Sequence, residues 1–181
     1  MSAFLYLFLL VLELLFLVGL SSYSIGLLYS SIMGAPYVPT SKKQIDTILE
    51  RAKLKAGQRF IELGSGDGRI VRRAVQKYSV YGVGVDINVL LVLLSRIYAK
   101  KQHLSNISFR KENIFSTSLS EADVVYLFLM PDTIKKILQK FEKELKPSTL
   151  LISHGFKIPG WEKKQIDVIK SEPFSTFFYR V

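Results

Sequence analysis

The chain begins with a long apolar run that differs sharply from everything after it. Residues 3–20 contain one charged side chain, Glu13, and apolar residues continue more loosely beyond them. A helix that crosses a membrane needs about 20 predominantly apolar residues, and residues 3–28 satisfy that length. The pattern therefore predicts a membrane-anchor helix within residues 1–35, followed by one domain over residues 36–181.

Two other structures stay open for this apolar run. A cleaved signal peptide usually has a basic start and an apolar core of roughly 7–15 residues, whereas this run is longer and starts without a charge. A buried or interfacial helix is the other alternative. Glu13 is either tolerated within a long apolar helix or contacts a partner helix, because a carboxylate costs a few kcal/mol at the centre of a bilayer.

Beyond residue 40 the pattern alternates between short apolar strands and amphipathic helices. Apolar positions at helical spacing predict four helices. Thr40 or Ser41 can cap the first, the second begins near Arg69, and the other two cover residues 88–101 and 131–146. Runs typical of strands occupy residues 59–63, 80–86, 107–111, 123–130, 149–153 and 174–181. Strands that alternate with helices indicate an α/β fold, in which a parallel sheet is covered on both faces.

Charge separates the two parts of the chain as clearly as hydrophobicity does. All 25 Lys and Arg residues and 14 of the 15 acidic residues follow residue 41, so the net charge of +10 divides into −1 before that point and +11 after it. Because basic residues favour the cytoplasmic side of a span, we expect a single-pass protein of the cell membrane with a cytoplasmic domain. Gly34, Pro36 and Pro39 mark the linker. The absence of cysteine excludes disulfides, a thiolate nucleophile and a zinc–thiolate site.

The strongest chemical signal lies where the first predicted strand meets the second helix. There the chain reads Glu-Leu-Gly-Ser-Gly-Asp-Gly over residues 62–68. Glycines at such a turn let the backbone approach a ligand, and the open amides of the helix start favour a carboxylate or phosphate. Asp86 ends the next strand, where a carboxylate can accept both hydroxyls of a ribose. The dinucleotide alternative needs a small residue at position 69, which is Arg69 in this chain.

The string over residues 62–68 resembles motif I of class I S-adenosylmethionine-dependent methyltransferases. Further segments resemble one family within that class: PYVPT over residues 36–40, LGSGDGRIV from Leu63, DVVYLFLMP from Asp123 and FKIPGW from Phe156. This family contains the membrane-anchored lysine methyltransferases that act on the ATP synthase c subunit and the adenine nucleotide translocase, with prokaryotic relatives. The resemblance implies a Rossmann-like, mostly parallel seven-stranded sheet with an antiparallel last strand. It also implies S-adenosyl-L-methionine as the cofactor and methyl transfer to a protein lysine.

The resemblance carries roles for individual residues as well. The residues that it places at the cofactor are Tyr37, Thr40, Glu62, Gly64, Ser65, Gly66, Asp67, Gly68, Asp86, Ile87, Asn113 and Ile114. Asp86 would hold the ribose hydroxyls, Ile87 would lie beside the adenine, and the motif I residues would line the methionine end. Asn113 stands where the family usually has an acid at the adenine edge, so either Glu112 or Asn113 points inward. Tyr37 and Thr40 would close over the cofactor.

The acceptor site is expected at the end of the fourth strand. The target amine would approach an apolar lip that suits the aliphatic stem of lysine, made by Leu129, Met130 and Pro131. No general base is assigned, because apolar burial and a nearby sulfonium charge both lower the pKa of an amine. Pro131 can equally be the first residue of a helix, and Trp161 a packing residue. His103 and His154 are isolated in the sequence, so no metal site is predicted.

Three other functions stay open at this point. A lipid or small-molecule amine methyltransferase would use the same anchor and cofactor site. The net charge of +11 after residue 41 would suit a nucleic-acid-binding or rRNA methyltransferase-like module. The third alternative is a non-catalytic membrane scaffold, which would not bind S-adenosylmethionine. Because a short linker confines the domain near the bilayer, the expected partners are the membrane itself and an integral membrane protein that presents a lysine, rather than nucleic acid.

Overall fold

The computed structural model describes residues 3–32 and 39–181. Its elements follow the predicted alternation of strands and helices. Helix α1 covers Ala3–Ile32 and helix α2 covers Lys42–Ala52. The elements that follow are β1 (Arg59–Leu63), α3 (Arg69–Tyr78), β2 (Tyr81–Asp86), α4 (Val89–Lys101), β3 (Ile107–Lys111), β4 (Val124–Leu127), α5 (Pro131–Glu144), β5 (Leu150–His154), a 3-10 turn (Glu162–Lys164), β6 (Gln165–Ile169) and β7 (Thr176–Arg180).

The seven strands form one sheet in the order β3-β2-β1-β4-β5-β7-β6. The first five strands of that order are parallel, while β7 runs antiparallel to β5 and β6 runs antiparallel to β7. The expected Rossmann-like class I methyltransferase sheet with an antiparallel last strand is therefore confirmed. Strand order reverses between β1 and β4, and ligands of open α/β sheets bind at the carboxyl side of such a switch point.

Three details differ from the pattern-based prediction. The strand β6 was missed, because Gln165–Ile169 forms an edge strand of mostly half-exposed residues and no buried apolar run marks it. The fourth strand was predicted too long, since only Val124–Leu127 form it and the next three residues leave it at the carboxyl edge. The helix that starts at Pro131 ends at Glu144, two residues earlier than expected.

Helices cover both faces of the sheet and enclose two apolar clusters. On one face α2, α3 and α4 bury residues such as Ile48, Val71 and Val92. On the other face α5 packs through Ile137 and Phe141. Trp161 belongs to this second cluster, with its ring centroid 6.2 Å from that of Phe141, so its packing role is confirmed.

The ring of Phe109 in β3 leaves no room for a side chain at two glycine positions near the carboxyl edge of the sheet. A Cβ on Gly68 would lie 2.3 Å from Phe109 Cε1, and a Cβ on Gly84 would lie 2.7 Å from the same ring. Both distances are shorter than any packing contact can be. The ring therefore occupies the space that two missing side chains leave, and it brings β3, β2 and the start of α3 together.

No described side chain of helix α1 belongs to either apolar cluster. Its segment Ala3–Gly26 has a mean hydropathy of 2.6 over its most apolar window, with none of that window buried. By length and composition this segment could cross a membrane. Near its end α1 meets the domain at the start of α4, where a Cβ on Gly26 would lie 3.1 Å from Asn88 Nδ2.

Candidate active site

The glycine turn between β1 and α3 is held together by its own backbone. Gly64, Gly66 and Gly68 have φ angles of 71°, 55° and 72°, in the left-handed region that favours glycine. The amides of Gly64 and Ser65 both donate to the Val85 carbonyl at 2.9 Å, and the Gly68 amide donates to the Ser65 carbonyl at 2.8 Å. These bonds fix the turn to the end of β2.

Asp86 lies at the carboxyl end of β2 and reaches the same turn. Its Oδ2 accepts from the Gly66 amide at 2.8 Å, and its Oδ1 accepts from the Asn88 amide at 2.8 Å. The residue is 8% exposed, and this burial raises the pKa of the Asp86 carboxyl. Because a carboxylate has about four acceptor positions, capacity remains for the hydroxyls of a ribose.

Glu62 supports the turn from within β1. Its Oε2 accepts from the Val71 amide at 3.0 Å, in the first turn of α3, where amides have no partner inside the helix. Burial raises the pKa of Glu62 well above its usual value, and the charges of Asp67 and Asp86 act in the same direction. Glu62 thus caps the helix that starts at the turn, and its contact with a cofactor stays a prediction.

Asp67 and Arg69 connect the turn to the segment before α2. Arg69 donates from Nε to Asp67 Oδ1 at 3.0 Å and from Nη2 to Asp67 Oδ2 at 2.9 Å. Arg69 Nη1 also donates to the carbonyl of Thr40 at 3.2 Å, and Thr40 is buried. This link holds Thr40 to Arg69 at the start of α3, and closure of Thr40 over the cofactor stays a prediction. Tyr37, the other residue expected there, lies outside the described residues.

Glu112 and Asn113 follow β3 at the expected adenine edge. The Glu112 amide donates to the Asp86 carbonyl at 3.1 Å, and the residue is half-buried. Asn113 is exposed, and its Oδ1 accepts from the Phe115 amide at 3.0 Å, as in an Asx turn. This turn engages the Asn113 oxygen, and contact of either Glu112 or Asn113 with the adenine stays a prediction. Ile87 and Ile114, also in the predicted set, are half-buried as well.

The predicted acceptor lip is only partly open. Leu129 is buried, and a Cβ on Gly64 would lie 3.2 Å from Leu129 Cδ2, so this side chain packs against the glycine turn. Met130 is 42% exposed, and the exposed Pro131 is the first residue of α5. Met130 and Pro131 therefore offer apolar surface to an incoming side chain, while Leu129 places that surface next to the turn.

Asn88 has a structural role at the site that sequence analysis did not identify. Its amide donates to Asp86, and its side-chain oxygen accepts from the amides of Leu90 at 3.0 Å and Leu91 at 3.3 Å. It is the N-cap residue of α4, and Asn before an apolar helical run is a known capping signal. Asn88 therefore joins the expected ribose carboxylate to the helix that follows.

Sequence analysis also assigned no role to His154, which lies at the carboxyl end of β5. Its Nδ1 is 2.8 Å from Thr176 Oγ1, and its ring is 4.6 Å from the Phe128 ring in an edge-on contact. Burial lowers the pKa of His154 to about 4, so the ring is neutral near pH 7. Within residues 3–32 and 39–181, no group of three His, Asp or Glu side chains is placed to hold a metal.

This arrangement fits S-adenosylmethionine. The turn has glycine at three left-handed positions, and the Asp86 carboxylate lies one hydrogen bond from it with acceptor capacity to spare. Both features lie at the carboxyl edge of the sheet, beside the switch point between β1 and β4. When bound, S-adenosylmethionine supplies a methyl group on a sulfonium sulfur that is already activated for transfer.

Known proteins with similar sequences point to one family. A family model described as the ANTKMT methyltransferase domain matches residues 62–165. A protein-lysine N-methyltransferase from Saccharolobus islandicus is 37% identical over 139 residues, which are 76% of this chain and 86% of that protein. The adenine nucleotide translocase lysine N-methyltransferase of Mus musculus is 30% identical over 128 residues, and the match covers 70% of this chain and 56% of that protein.

A solved structure agrees with the cofactor assignment. The crystal structure of an RNA methyltransferase from Salinibacter ruber in complex with S-adenosyl-L-homocysteine is 33% identical to this chain, with a TM-score of 0.76. The match covers 80% of this chain and 94% of that one. S-Adenosylmethionine is therefore the cofactor of this enzyme. The chain is a methyltransferase that belongs to the ANTKMT methyltransferase domain family.

Proposed function

We propose that this enzyme is a membrane-anchored protein-lysine N-methyltransferase that modifies a lysine of an integral membrane protein near the headgroup level. One structural relationship carries the proposal. Gly26, at the end of the apolar segment of α1, approaches Asn88, whose amide donates to Asp86. Asn88 thus lies between the end of the segment suited to a membrane and the carboxylate assigned to the cofactor.

Lysine as the acceptor agrees with the surface beside the glycine turn. Met130 and Pro131 are apolar and open, which suits the four methylene groups of a lysine stem. The reacting amine must be neutral, although free lysine has a pKa near 10.4. Apolar surroundings lower that pKa, and the neutral His154 adds no cation to this edge of the sheet. The names of the two relatives described above, both lysine methyltransferases, support the same acceptor.

The proposed anchor spans residues 1–35, and the catalytic domain covers residues 36–181. The 24 residues of Ala3–Gly26 have a helical length of about 36 Å, enough for a hydrocarbon core of about 30 Å. All Lys and Arg residues follow residue 41, which favours a cytoplasmic domain. The anchor would confine the site to the bilayer surface and raise the effective concentration of a membrane substrate.

A second candidate function is the methylation of RNA. The Salinibacter ruber protein is called an RNA methyltransferase and is 33% identical to this chain. The net charge of +11 beyond residue 41 also suits a polyanion. If the enzyme binds RNA through its phosphates, the affinity should fall steeply as the salt concentration rises. Burial of an apolar lysine stem predicts no such steep dependence on salt.

One labelling experiment distinguishes these candidates. Membranes and total RNA from a strain that lacks the gene are incubated with the purified enzyme and S-adenosylmethionine carrying a radioactive methyl group. We expect the label in membrane protein, and none above background with Asp86→Ala, which removes the assigned ribose carboxylate. Label in RNA would support the second candidate, and label in the lipid extract would identify an amine lipid as the substrate instead.

A further inference from the structure

The outward face of helix α4 is apolar, although the outward face of a surface helix is normally polar. Val89, Leu93 and Ile97 are 48%, 46% and 59% exposed. They follow one another at intervals of four residues and therefore form one stripe along the helix. The opposite face of α4 is buried against the sheet through residues such as Leu91 and Val92. A surface helix of a soluble domain normally has charged residues opposite its buried face.

The charges around this stripe have one sign. Residues 87–111 contain no Asp or Glu. The basic residues of this segment, on α4 and the adjacent edge strand β3, are Arg96, Lys100, Lys101, Arg110 and Lys111. A helix with exposed large apolar residues flanked by Lys and Arg is typical of helices that lie in a membrane interface. Anionic headgroups attract each such basic residue near the surface.

The position of the stripe agrees with the end of the proposed span. The apolar segment of α1 ends at Gly26, which approaches Asn88, and Asn88 directly precedes Val89 at the start of α4. If Ala3–Gly26 crosses the hydrocarbon core, Gly26 lies at the boundary with the headgroups. The first residue of the stripe then lies at the same depth.

We propose that α4 is a second membrane contact, with Val89, Leu93 and Ile97 inserted at the boundary between headgroups and acyl chains. The flanking basic residues bind anionic headgroups. This inference rests on the proposed anchor, and it adds the orientation of the catalytic domain relative to the bilayer. Because α4 starts three residues after Asp86, contact of α4 with the bilayer holds the carboxyl edge of the sheet, with its cofactor site, at the membrane surface.

The absence of native cysteine makes a direct test possible in the full-length protein. Single cysteines are introduced by Leu93→Cys or Ile97→Cys and labelled with an environment-sensitive fluorophore. Ile166→Cys is the matched control, because Ile166 is an exposed apolar residue of β6, 54% exposed, at the other edge of the sheet. Leu12→Cys, within the apolar segment of α1, reports on the anchor. Binding of S-adenosylhomocysteine verifies that each labelled variant is folded.

The labelled proteins are reconstituted in phosphatidylcholine vesicles with or without phosphatidylserine, and some vesicles contain lipids with a quencher on the acyl chain. We expect blue-shifted emission at positions 93 and 97, loss of most of that emission with the quencher, and a larger effect with phosphatidylserine. Position 166 should keep emission typical of water.

Each other outcome overturns a defined part of the account. Quenching at position 12 but none at 93 and 97 would leave the anchor in place and refute the contact of α4 with lipid. No quenching at position 12 would refute the anchor itself, and with it the proposed function. A blue shift at 93 and 97 that grows with protein concentration in detergent, without quenching by lipid, would assign the stripe to a second copy of the chain.

Discussion

The Gly66 amide donates to Asp86 Oδ2 at 2.8 Å, and this bond joins the glycine turn of β1 to the carboxyl end of β2. Gly66 belongs to the part of motif I expected at the methionine end of S-adenosylmethionine, and Asp86 is expected at its ribose. The two halves of the site are therefore fixed relative to each other by the protein alone. Such preorganisation lowers the entropy that cofactor binding must otherwise remove.

Replacement of Asp86 should weaken cofactor binding strongly. Each hydrogen bond to a charged group contributes about 1.5–3 kcal/mol, so Asp86→Ala should raise the dissociation constant of S-adenosylmethionine by roughly 10- to 100-fold or more. Isothermal calorimetry measures this directly. Glu121→Gln, at an exposed acid beside β4, should bind as the wild type does. An unchanged affinity of a folded Asp86→Ala variant would refute the ribose assignment.

The space around Gly68 predicts a difference between two glycines of similar conformation. Gly68 and Gly57 have φ angles of 72° and 81°, but a Cβ on Gly68 would lie 2.3 Å from Phe109 whereas nothing lies within 4 Å of a Cβ on Gly57. Both alanine substitutions introduce backbone strain of about 1–2 kcal/mol. Overpacking should make Gly68→Ala less stable than Gly57→Ala by a further 1–3 kcal/mol or so. Denaturant unfolding in detergent measures both, and equal losses would show that Phe109 moves aside freely.

His154 should make the protein less stable as the pH falls from about 6.5 to 4. The folded pKa of about 4 lies below the ordinary value of 6.5, so the unfolded state binds the proton first. The stability that is present near pH 7 is lost over this window, by up to about 3 kcal/mol. The raised pKa values of Glu62 and Asp86 act in the opposite direction, because the folded state then binds protons first.

A matched variant isolates the contribution of His154. His154→Gln keeps a polar partner for Thr176 but does not titrate, and the carboxyl groups are common to both proteins. Free energies of unfolding at pH 7 and pH 4.5 should therefore fall more for the wild type than for His154→Gln. Parallel pH profiles would mean that the ring is not neutral and buried.

Removal of the anchor should abolish attachment to the membrane while it leaves cofactor binding intact. The full-length protein should resist extraction from membranes by alkaline carbonate. Deletion of residues 1–33 should yield a protein that binds S-adenosylmethionine but methylates its substrate in cells far less, because the effective concentration at the membrane is lost. Calorimetry and methylation in cells measure the two effects. Wild-type methylation by the truncated protein would show that the anchor does not select the substrate.

The parts of the site that depend on neighbours in the sequence were predictable. The glycine turn and Asp86 stand out because strand, turn and helix follow one another within residues 59–86. Asn88 could have been identified as a helix cap, because it is a polar residue directly before an apolar helical run. Burial of Leu129 could not be predicted, because it depends on contact with Gly64 of the distant glycine turn.

Other features depend on contacts that are distant in the sequence. The two glycines beneath Phe109 are explained only by the pairing of β2 with β3. His154 finds Thr176 through the antiparallel pairing of β5 with β7, 22 residues further along the chain. The edge strand β6 has no buried apolar run, so the pattern of hydrophobic residues did not reveal it. The apolar face of α4 was visible in the sequence, but its exposure was not.

The most direct test of the proposed function is mass spectrometry of membrane proteins after incubation with this enzyme and S-adenosylmethionine carrying a heavy methyl group. The membranes come from a strain that lacks the gene, and Asp86→Ala enzyme serves as the control. We predict that heavy methyl groups appear on the ε-nitrogen of a lysine in an integral membrane protein, close to a predicted headgroup boundary, and only with the wild-type enzyme. Heavy methyl groups confined to soluble proteins, RNA or lipid would contradict the account.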